Sequence, residues 1–225
     1  MKIFINAYLE NNLGDDLFFE ILQNRYKNHE YYLMSSSYKT TNKNVHILSN
    51  KIIVKAIRKL QIKRIIANKC DISVVIGGSM YMETQNKVPN FSLGKKPYYI
   101  LGANFGPYKT QEYFDAVHRF FEGAQDVCFR ENYSYELFKD LKNVRCASDI
   151  VFSLDTSNIK NTDNKRVIFS IISCKRKIND SYTSEYEKTI IKMTKFFVKN
   201  GYEICYMSFC KNEGDEQAIE EIISQ

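Results

Sequence analysis

Four short polar segments, each placed directly after an apolar run, hold the side chains with the clearest chemical potential. They are Gly77–Ser79, Asn104–Pro107, the pair Arg130 and Glu131, and Asp149. Proteins commonly bind phosphates and carboxylates through guanidinium groups and through the backbone N–H groups of glycine turns. The segments therefore predict a site that handles an acidic ligand.

The glycine turn follows the strongest strand signal in the chain. The β-branched run 72–76 stops abruptly at Gly77 and Gly78, which is typical of a buried parallel strand. Loops at the carboxyl ends of such strands bind ligands, and glycines let a ligand approach the backbone. Gly77, Gly78 and Ser79 are therefore interpreted as the floor of a site. A tight strand-to-helix turn without a ligand has the same sequence pattern.

The other polar segments also follow predicted strands. These strands are expected at 96–103, at 126–129 and in the VRCAS run that precedes Asp149. In a parallel, doubly wound sheet the carboxyl ends of the strands lie along one edge. Asn104, Arg130 and Asp149 are therefore expected to meet the glycine turn in one crevice.

Arg130 is the leading candidate for binding the acidic group, because its planar guanidinium matches a phosphate or a carboxylate. Glu131 is expected to orient Arg130, and Ser134 to add a hydroxyl donor from the same helix start. An exposed ion pair that caps a helix explains Arg130 and Glu131 as well. Asp149 either orients a ligand hydroxyl or accepts a loop N–H.

The first sixty residues predict alternating strands and helices. A strand at 2–8 is followed by a helix with Asp15 as its candidate N-cap, because apolar residues then recur at helical spacing. Asp15 either faces the crevice or only caps this helix. A helix at Lys51–Lys69 carries seven basic residues and no acid. Such a helix can bind anionic lipid, or it can present an ordinary solvated face.

The domain organisation is predicted from one polar stretch, residues 155–165, that separates two series of strands and helices. Residues 1–154 are predicted to form a Rossmann-like domain, 155–165 a linker, and 166–225 the start of a second Rossmann-like domain. The second series has too few elements to cover both faces of a sheet. The chain is therefore expected to be a truncated product.

The composition narrows the function classes. The net charge of +6 suits acidic small molecules as well as nucleic acid, but no nucleic-acid-binding motif accompanies it. The six cysteines and three histidines lack metal or disulfide spacing, so free thiols, no metal and a cytoplasmic location are expected. His118 is interpreted as a packing residue. No G-x-G-x-x-G, P-loop or G-x-S-x-G pattern occurs, which disfavours dinucleotide, ATP and acyl-transfer chemistry.

The ordered set of motifs resembles the polysaccharide pyruvyl transferase family. It consists of Asn6, Asn12, Gly14, Asp15 and Asp16, then VVIGGSMY, LGANFGPY, FRENYSYELF, ASDIVFSL and SFCKNEGDEQAIEEI. The resemblance covers nearly the whole chain and adds Asn12 and Gly14 to the candidate substrate-binding residues. It implies a GT-B-like arrangement of two Rossmann-like halves, the second incomplete here.

The resemblance also implies a reaction, the transfer of a pyruvyl group from phosphoenolpyruvate to two hydroxyls of a sugar as a cyclic ketal. No cofactor is expected. The acceptor is expected to be a saccharide or a lipid-linked saccharide, at the inner face of the membrane if the basic helix binds lipid. Family members carry an Arg-x-His segment that this chain lacks, so the general acid and base are expected beyond Gln225 and the chain alone is expected to be inactive.

Two other functions are compatible with the residues. A GT-B-like glycosyltransferase that uses a nucleotide sugar needs the same two-half architecture. A non-catalytic ligand-binding or assembly fragment needs only the glycine turn and the exposed second half. The oligomeric state and the acceptor sugar do not follow from the sequence.

Overall fold

The computed structural model describes residues 1–49, 56–84, 91, 93–159, 165–174 and 180–225. The chain divides into two compact units. The first unit contains Met1–Leu9 and Gly14–Leu154, and the second contains Glu10–Leu13 and Asp155–Gln225. The grouping of Glu10–Leu13 with the second unit is a feature that the sequence did not predict.

The first unit alternates strands and helices. Its elements are β1 (Lys2–Asn6), α1 (Leu13–Arg25), β2 (Glu30–Ser35), β3 (Val45–Ser49), α2 (Ala56–Lys69), β4 (Ile72–Ile76), β5 (Tyr98–Ala103), α3 (Gln111–Glu122), β6 (Asp126–Phe129), α4 (Asn132–Phe138) and β7 (Val144–Cys146). The seven strands pair in parallel in the order β3-β2-β1-β4-β5-β6-β7. The predicted parallel α/β fold is confirmed.

Two cores cover the two faces of the sheet, which makes the fold doubly wound. Alternate residues of a strand point to opposite faces, so Ile5 of β1 packs with Phe18 and Phe19 of α1. The neighbouring Phe4 packs with Val117 of α3 and Phe138 of α4 in the other core. Burial of apolar surface on both faces explains why the strands read as continuous hydrophobic runs.

The strand order reverses between β1 and β4, because the chain moves outward from β1 to β3 and then returns to β4 on the other side of β1. In open α/β sheets such a switch point opens a crevice at the carboxyl ends of the two strands. The loop that leaves β4 begins with Gly77 and Gly78. The topology therefore places the predicted glycine turn at this crevice.

The second unit contains a smaller β-α-β arrangement. Strands β8 (Arg166–Ile171) and β9 (Glu203–Ser208) pair in parallel, and the helices are α5 (Asp180–Lys199) and α6 (Asp215–Ile223). Phe169 and Ile171 of β8 pack against Ala218 and Ile222 of α6. The predicted linker has no helix or strand at Asp155–Ile159, and residues 160–164 lie outside the described residues.

Three boundaries differ from the sequence predictions. The first helix begins at Leu13, so Asp15 lies inside its first turn and is not its N-cap. The strand predicted at 2–8 ends at Asn6. The strand predicted at 96–103 begins at Tyr98. Sequence periodicity is weakest at the ends of helices and strands, which explains all three differences.

Candidate functional site

Arg130 is the centre of the candidate site. It follows β6, and its Nη1 donates a hydrogen bond to Oδ2 of Asp149 at 3.0 Å. Its Nη2 donates to Oδ1 of Asn104 at 3.1 Å. Three residues that the sequence placed after successive strands are therefore in direct contact, as predicted from the parallel topology.

Gly78 makes room for the guanidinium of Arg130. A Cβ atom built on Gly78 would lie 2.4 Å from Cζ and Nη2 of Arg130, which is closer than real side chains approach. The guanidinium therefore extends from the end of β6 to the second residue after β4. A main chain without a side chain at this position is what allows the long side chain to cross the edge of the sheet.

Gly77 has a different role from Gly78. Its φ of +140° is a conformation that residues with a side chain rarely adopt. A Cβ atom there would also lie 2.8 Å from Oδ1 of Asp15. The carboxylate of Asp15 thus lies against one glycine, and the guanidinium of Arg130 lies against the next.

The interpretation of the glycine turn as a bare floor is therefore wrong in its detail. Gly77 and Gly78 are buried beneath Asp15 and Arg130, whereas Ser79 is exposed. The glycines bring two charged side chains to adjacent positions rather than exposing the backbone to a ligand. Any ligand that binds at this turn meets a carboxylate and a guanidinium.

The contacts of Glu131 and Ser134 contradict the roles predicted for them. Glu131 is the N-cap of α4, and its carboxylate accepts hydrogen bonds from the backbone N–H and the hydroxyl of Ser134. Ser134 is fully buried, and its Oγ accepts a hydrogen bond from the N–H of Phe105 at 2.7 Å. Asp149 and Asn104, not Glu131, orient Arg130, while Ser134 fixes the loop that carries Asn104.

Asn12 and Gly14 lie in different units. Asn12 belongs to the second unit, where it forms an isolated antiparallel bridge with Cys210. Gly14 lies in the first turn of α1, one residue before Asp15. The contribution of these two residues to substrate binding stays a prediction.

Glu83 is a positioning residue that the sequence reasoning missed. It is buried, and its carboxylate accepts hydrogen bonds from the N–H groups of Lys109 and Thr110 and from the hydroxyl of Thr110. Its own N–H donates to the carbonyl of Pro107 at 2.9 Å. Glu83 therefore holds the loop that begins with Asn104. No motif surrounds it, and only its isolation in an uncharged stretch could have drawn attention to it.

Hydrogen bonding dominates the ionisation of Glu83. Burial raises the pKa of its carboxyl, but the hydrogen bonds from Lys109 and Thr110 outweigh burial and leave the pKa below its ordinary value of 4.5. A lowered folded-state pKa contributes stability above pH 4.5, and this stability is lost as the pH falls through the folded-state value. Acid is therefore expected to loosen the loop of Asn104.

We predict that Glu83→Gln lowers the thermal midpoint at pH 7, because the charged acceptor of three hydrogen bonds becomes neutral. The difference between the variant and the natural chain should shrink as the pH falls below about 4.5, where Glu83 itself becomes protonated. Thermal unfolding from pH 7 to pH 3 measures this difference. A difference that is constant with pH would show that the charge of Glu83 does not hold the loop.

Lys63 brings a second cation to the carboxyl edge of the sheet. Its Nζ donates to Oδ1 of Asn6, the last residue of β1, at 3.0 Å. Lys63 is one of the basic residues of the helix predicted at 51–69, of which the structure describes Ala56–Lys69 as α2. Residues 51–55 lie outside the described part, and lipid binding by this helix stays a prediction.

The surroundings of His118 and of the cysteines agree with structural rather than catalytic roles. Nε2 of His118 lies 2.8 Å from Oδ2 of Asp140, and its ring packs near Phe114 and Phe138, in agreement with a packing role. All six cysteines are free, as predicted. In the described ranges, no helix has the length and hydrophobicity needed to cross a membrane.

The comparisons with known proteins identify the family. The sequence matches the family described as polysaccharide pyruvyl transferase over residues 12–225. The chain belongs to this family. The resemblance carried by the ordered motifs is thereby confirmed. Comparison with curated proteins found no match.

Solved structures support the fold. The chain is similar to a variant of the wall teichoic acid polymerase TagF, with a TM-score of 0.52 and 11% identity, and to TagF itself, with a TM-score of 0.50 and 11% identity. Each match covers 92% of this chain and 56% of the TagF chain. These neighbours support the predicted α/β fold class. At this level of identity the likeness concerns the fold and not the activity.

Proposed function

We propose that this protein transfers a pyruvyl group from phosphoenolpyruvate to two hydroxyls of a saccharide and forms a cyclic ketal. The observation that carries the proposal is the guanidinium of Arg130, which Asp149 and Asn104 hold over Gly78 in a chain of the pyruvyl transferase family. Phosphoenolpyruvate presents a phosphate and a carboxylate, and a fixed guanidinium is suited to either group.

Arg130 has the hydrogen-bonding capacity that this role needs. A guanidinium carries five N–H donors, and Asp149 and Asn104 accept from two of them. Three donors therefore have no acceptor among the described residues. The side chain is partly exposed, at 28%, so a ligand can approach it from solvent. Pre-organisation of this kind reduces the entropic cost of binding.

The reaction requires proton transfers in addition to anion binding. A proton adds to the methylene carbon of phosphoenolpyruvate, and the oxygen of the first sugar hydroxyl bonds to the carbon that carries the phosphate. The bond between this carbon and the phosphate oxygen then breaks, and the second hydroxyl closes the ketal. Of the two hydroxyl protons, one balances the proton on the new methyl group and the other leaves with the phosphate.

Asp15 is our candidate for holding the acceptor hydroxyls. Its Oδ1 lies against Gly77, and consecutive α-carbons are about 3.8 Å apart, so Asp15 and Arg130 approach neighbouring points of the turn. A carboxylate accepts hydrogen bonds from hydroxyls, and its two oxygens can accept from two hydroxyls of one sugar. In this arrangement Arg130 binds the donor and Asp15 orients the acceptor.

Calorimetric titration of the full chain tests the donor assignment. We expect phosphoenolpyruvate to bind and inorganic phosphate to compete with it, while UDP-glucose binds more weakly. Tighter binding of UDP-glucose than of phosphoenolpyruvate would favour the glycosyltransferase hypothesis. No binding of any of these ligands would favour the hypothesis of a non-catalytic module. A lipid-linked acceptor and a location at the membrane surface stay predictions of the family resemblance.

A further inference from the structure

Two exposed aromatic side chains lie close in sequence to the pair formed by Arg130 and Asp149. Phe152 is 81% exposed, and Tyr133 is 63% exposed. Each follows its partner of the ion pair by three residues, Tyr133 after Arg130 and Phe152 after Asp149. Both residues therefore belong to the two chain segments that carry the candidate anion site.

The backbone of Phe152 is firmly anchored although its ring is exposed. Asp149 caps a turn of 3₁₀ helix at Ile150–Ser153, with Oδ1 accepting from the N–H of Val151 at 3.0 Å. The N–H of Phe152 donates to the carbonyl of Asp149 at 3.1 Å. Ile150 packs against Gly102, where an added Cβ atom would lie 2.7 Å from its Cδ1. The turn thus packs Ile150 against Gly102 and leaves Phe152 exposed.

Tyr133 is placed in a similar way. It lies between Asn132, which begins α4, and Ser134, which is fully buried and bonded to the N-cap Glu131. The capped helix start fixes the backbone of Tyr133 while its ring remains in solvent. Arg130 itself is fixed by Asp149, so the turn at 149–153 and the start of α4 are linked through the ion pair.

The surroundings of the two rings suit a ligand that is partly polar. Asn132 beside Tyr133 and Ser153 beside Phe152 are polar and exposed, so each ring is bordered along the chain by an exposed polar side chain, and Leu154 beyond Ser153 is less exposed than Phe152, at 36%. Extended apolar patches are typical of protein interfaces, whereas single rings rimmed by polar groups are not. A pyranose ring has weakly positive C–H bonds on one face and hydroxyls around its rim, which complements the negative face of an aromatic ring.

We propose that Tyr133 and Phe152 form the surface on which a pyranose ring of the acceptor saccharide stacks, next to the donor held by Arg130. This inference rests on the proposed function and deepens it, because it assigns the acceptor a place in the first unit. The ion pair fixes the separation between donor and acceptor surfaces, since Asp149 both holds Arg130 and caps the turn that presents Phe152.

Saturation-transfer NMR on the full chain tests the proposal with a mixture of methyl glucoside, methyl galactoside and methyl mannoside. We expect transfer to ring protons of at least one glycoside in the natural chain. Phe152→Ala and Tyr133→Ala should each reduce it about fivefold, the effect of losing roughly 1 kcal/mol of stacking. Phe152→Tyr should retain it. Tyr182→Ala is the control, because this exposed aromatic residue belongs to the second unit.

Equal transfer in the natural chain and in both alanine variants would overturn the proposal, as would no transfer to any of the three glycosides. A separate sample with UMP is the further comparison. Saturation transfer to the uracil that both alanine variants reduce, with none to a pyranose, would also overturn the proposal. Phosphoenolpyruvate affinity, measured in parallel, separates this inference from the proposed function. If phosphoenolpyruvate binds and the alanine variants show the same saturation transfer to the glycosides as the natural chain, only the stacking surface is refuted. If saturation transfer to a glycoside is seen but phosphoenolpyruvate does not bind, only the pyruvyl donor is refuted.

Discussion

Replacement of Arg130 by alanine is expected to weaken phosphoenolpyruvate binding by about 100-fold or more. Loss of one partner from a hydrogen-bonded charge pair costs roughly 2–5 kcal/mol of binding free energy, and each 1.4 kcal/mol is about tenfold in affinity. Arg130→Lys should also bind weakly, because an ammonium lacks the planar fork that matches a phosphate or a carboxylate. Calorimetric titration of phosphoenolpyruvate measures both effects.

The matched control is Arg145→Ala. Arg145 is also paired with a carboxylate, through hydrogen bonds of 2.8 and 3.0 Å to Asp126, but it lies within β7 rather than at a carboxyl end. Its loss should leave the affinity for phosphoenolpyruvate within about twofold, since an exposed ion pair contributes little. An equal loss of affinity in both variants would mean that net charge, and not the position of Arg130, attracts the ligand.

Gly78→Ala is expected to weaken phosphoenolpyruvate binding without unfolding the protein. The new methyl group would lie 2.4 Å from the guanidinium, and the flexible end of Arg130 must move away to relieve this contact. We expect affinity to fall about tenfold or more, while the free energy of unfolding changes by less than about 1 kcal/mol. Calorimetry and thermal unfolding of the same preparation measure the two quantities.

Gly77→Ala provides the contrast, because the backbone conformation at position 77 is what requires a glycine there. A residue with a side chain is strained at a φ of +140°, so this variant should lose about 1–3 kcal/mol of stability. Adjacent glycines thus have separable effects, stability for Gly77 and ligand binding for Gly78. If Gly78→Ala bound phosphoenolpyruvate normally, the guanidinium over Gly78 would have no part in the site.

The sequence predicted the fold well because its signals are local and repeated. Runs such as 72–76 and 126–129 are short, apolar and followed by turns, and alternation of strands with helices permits few arrangements other than a parallel sheet. Convergence of Asn104, Arg130 and Asp149 followed from that topology alone. Strand order added the switch point between β1 and β4, which places the glycine turn at the crevice.

The errors concern contacts that sequence spacing does not encode. Glu131 and Ser134 lie next to Arg130 in the chain, yet they bond to each other and to the loop of Asn104. Glu83 is 26 residues from the Lys109 N–H that it binds. Asp15 was predicted as an N-cap because a carboxylate at the start of a helix commonly has this role. Its contact with Gly77 depends on how α1 packs at the switch point.

A crystal structure of the chain with phosphoenolpyruvate is the most direct test of the central claim. We predict that an oxygen of the phosphate or the carboxylate lies within hydrogen-bonding distance of the Arg130 guanidinium, beside Gly78, while the ion pair with Asp149 remains. Phosphoenolpyruvate bound elsewhere on the chain, with Arg130 contacting only Asp149 and Asn104, would contradict the account.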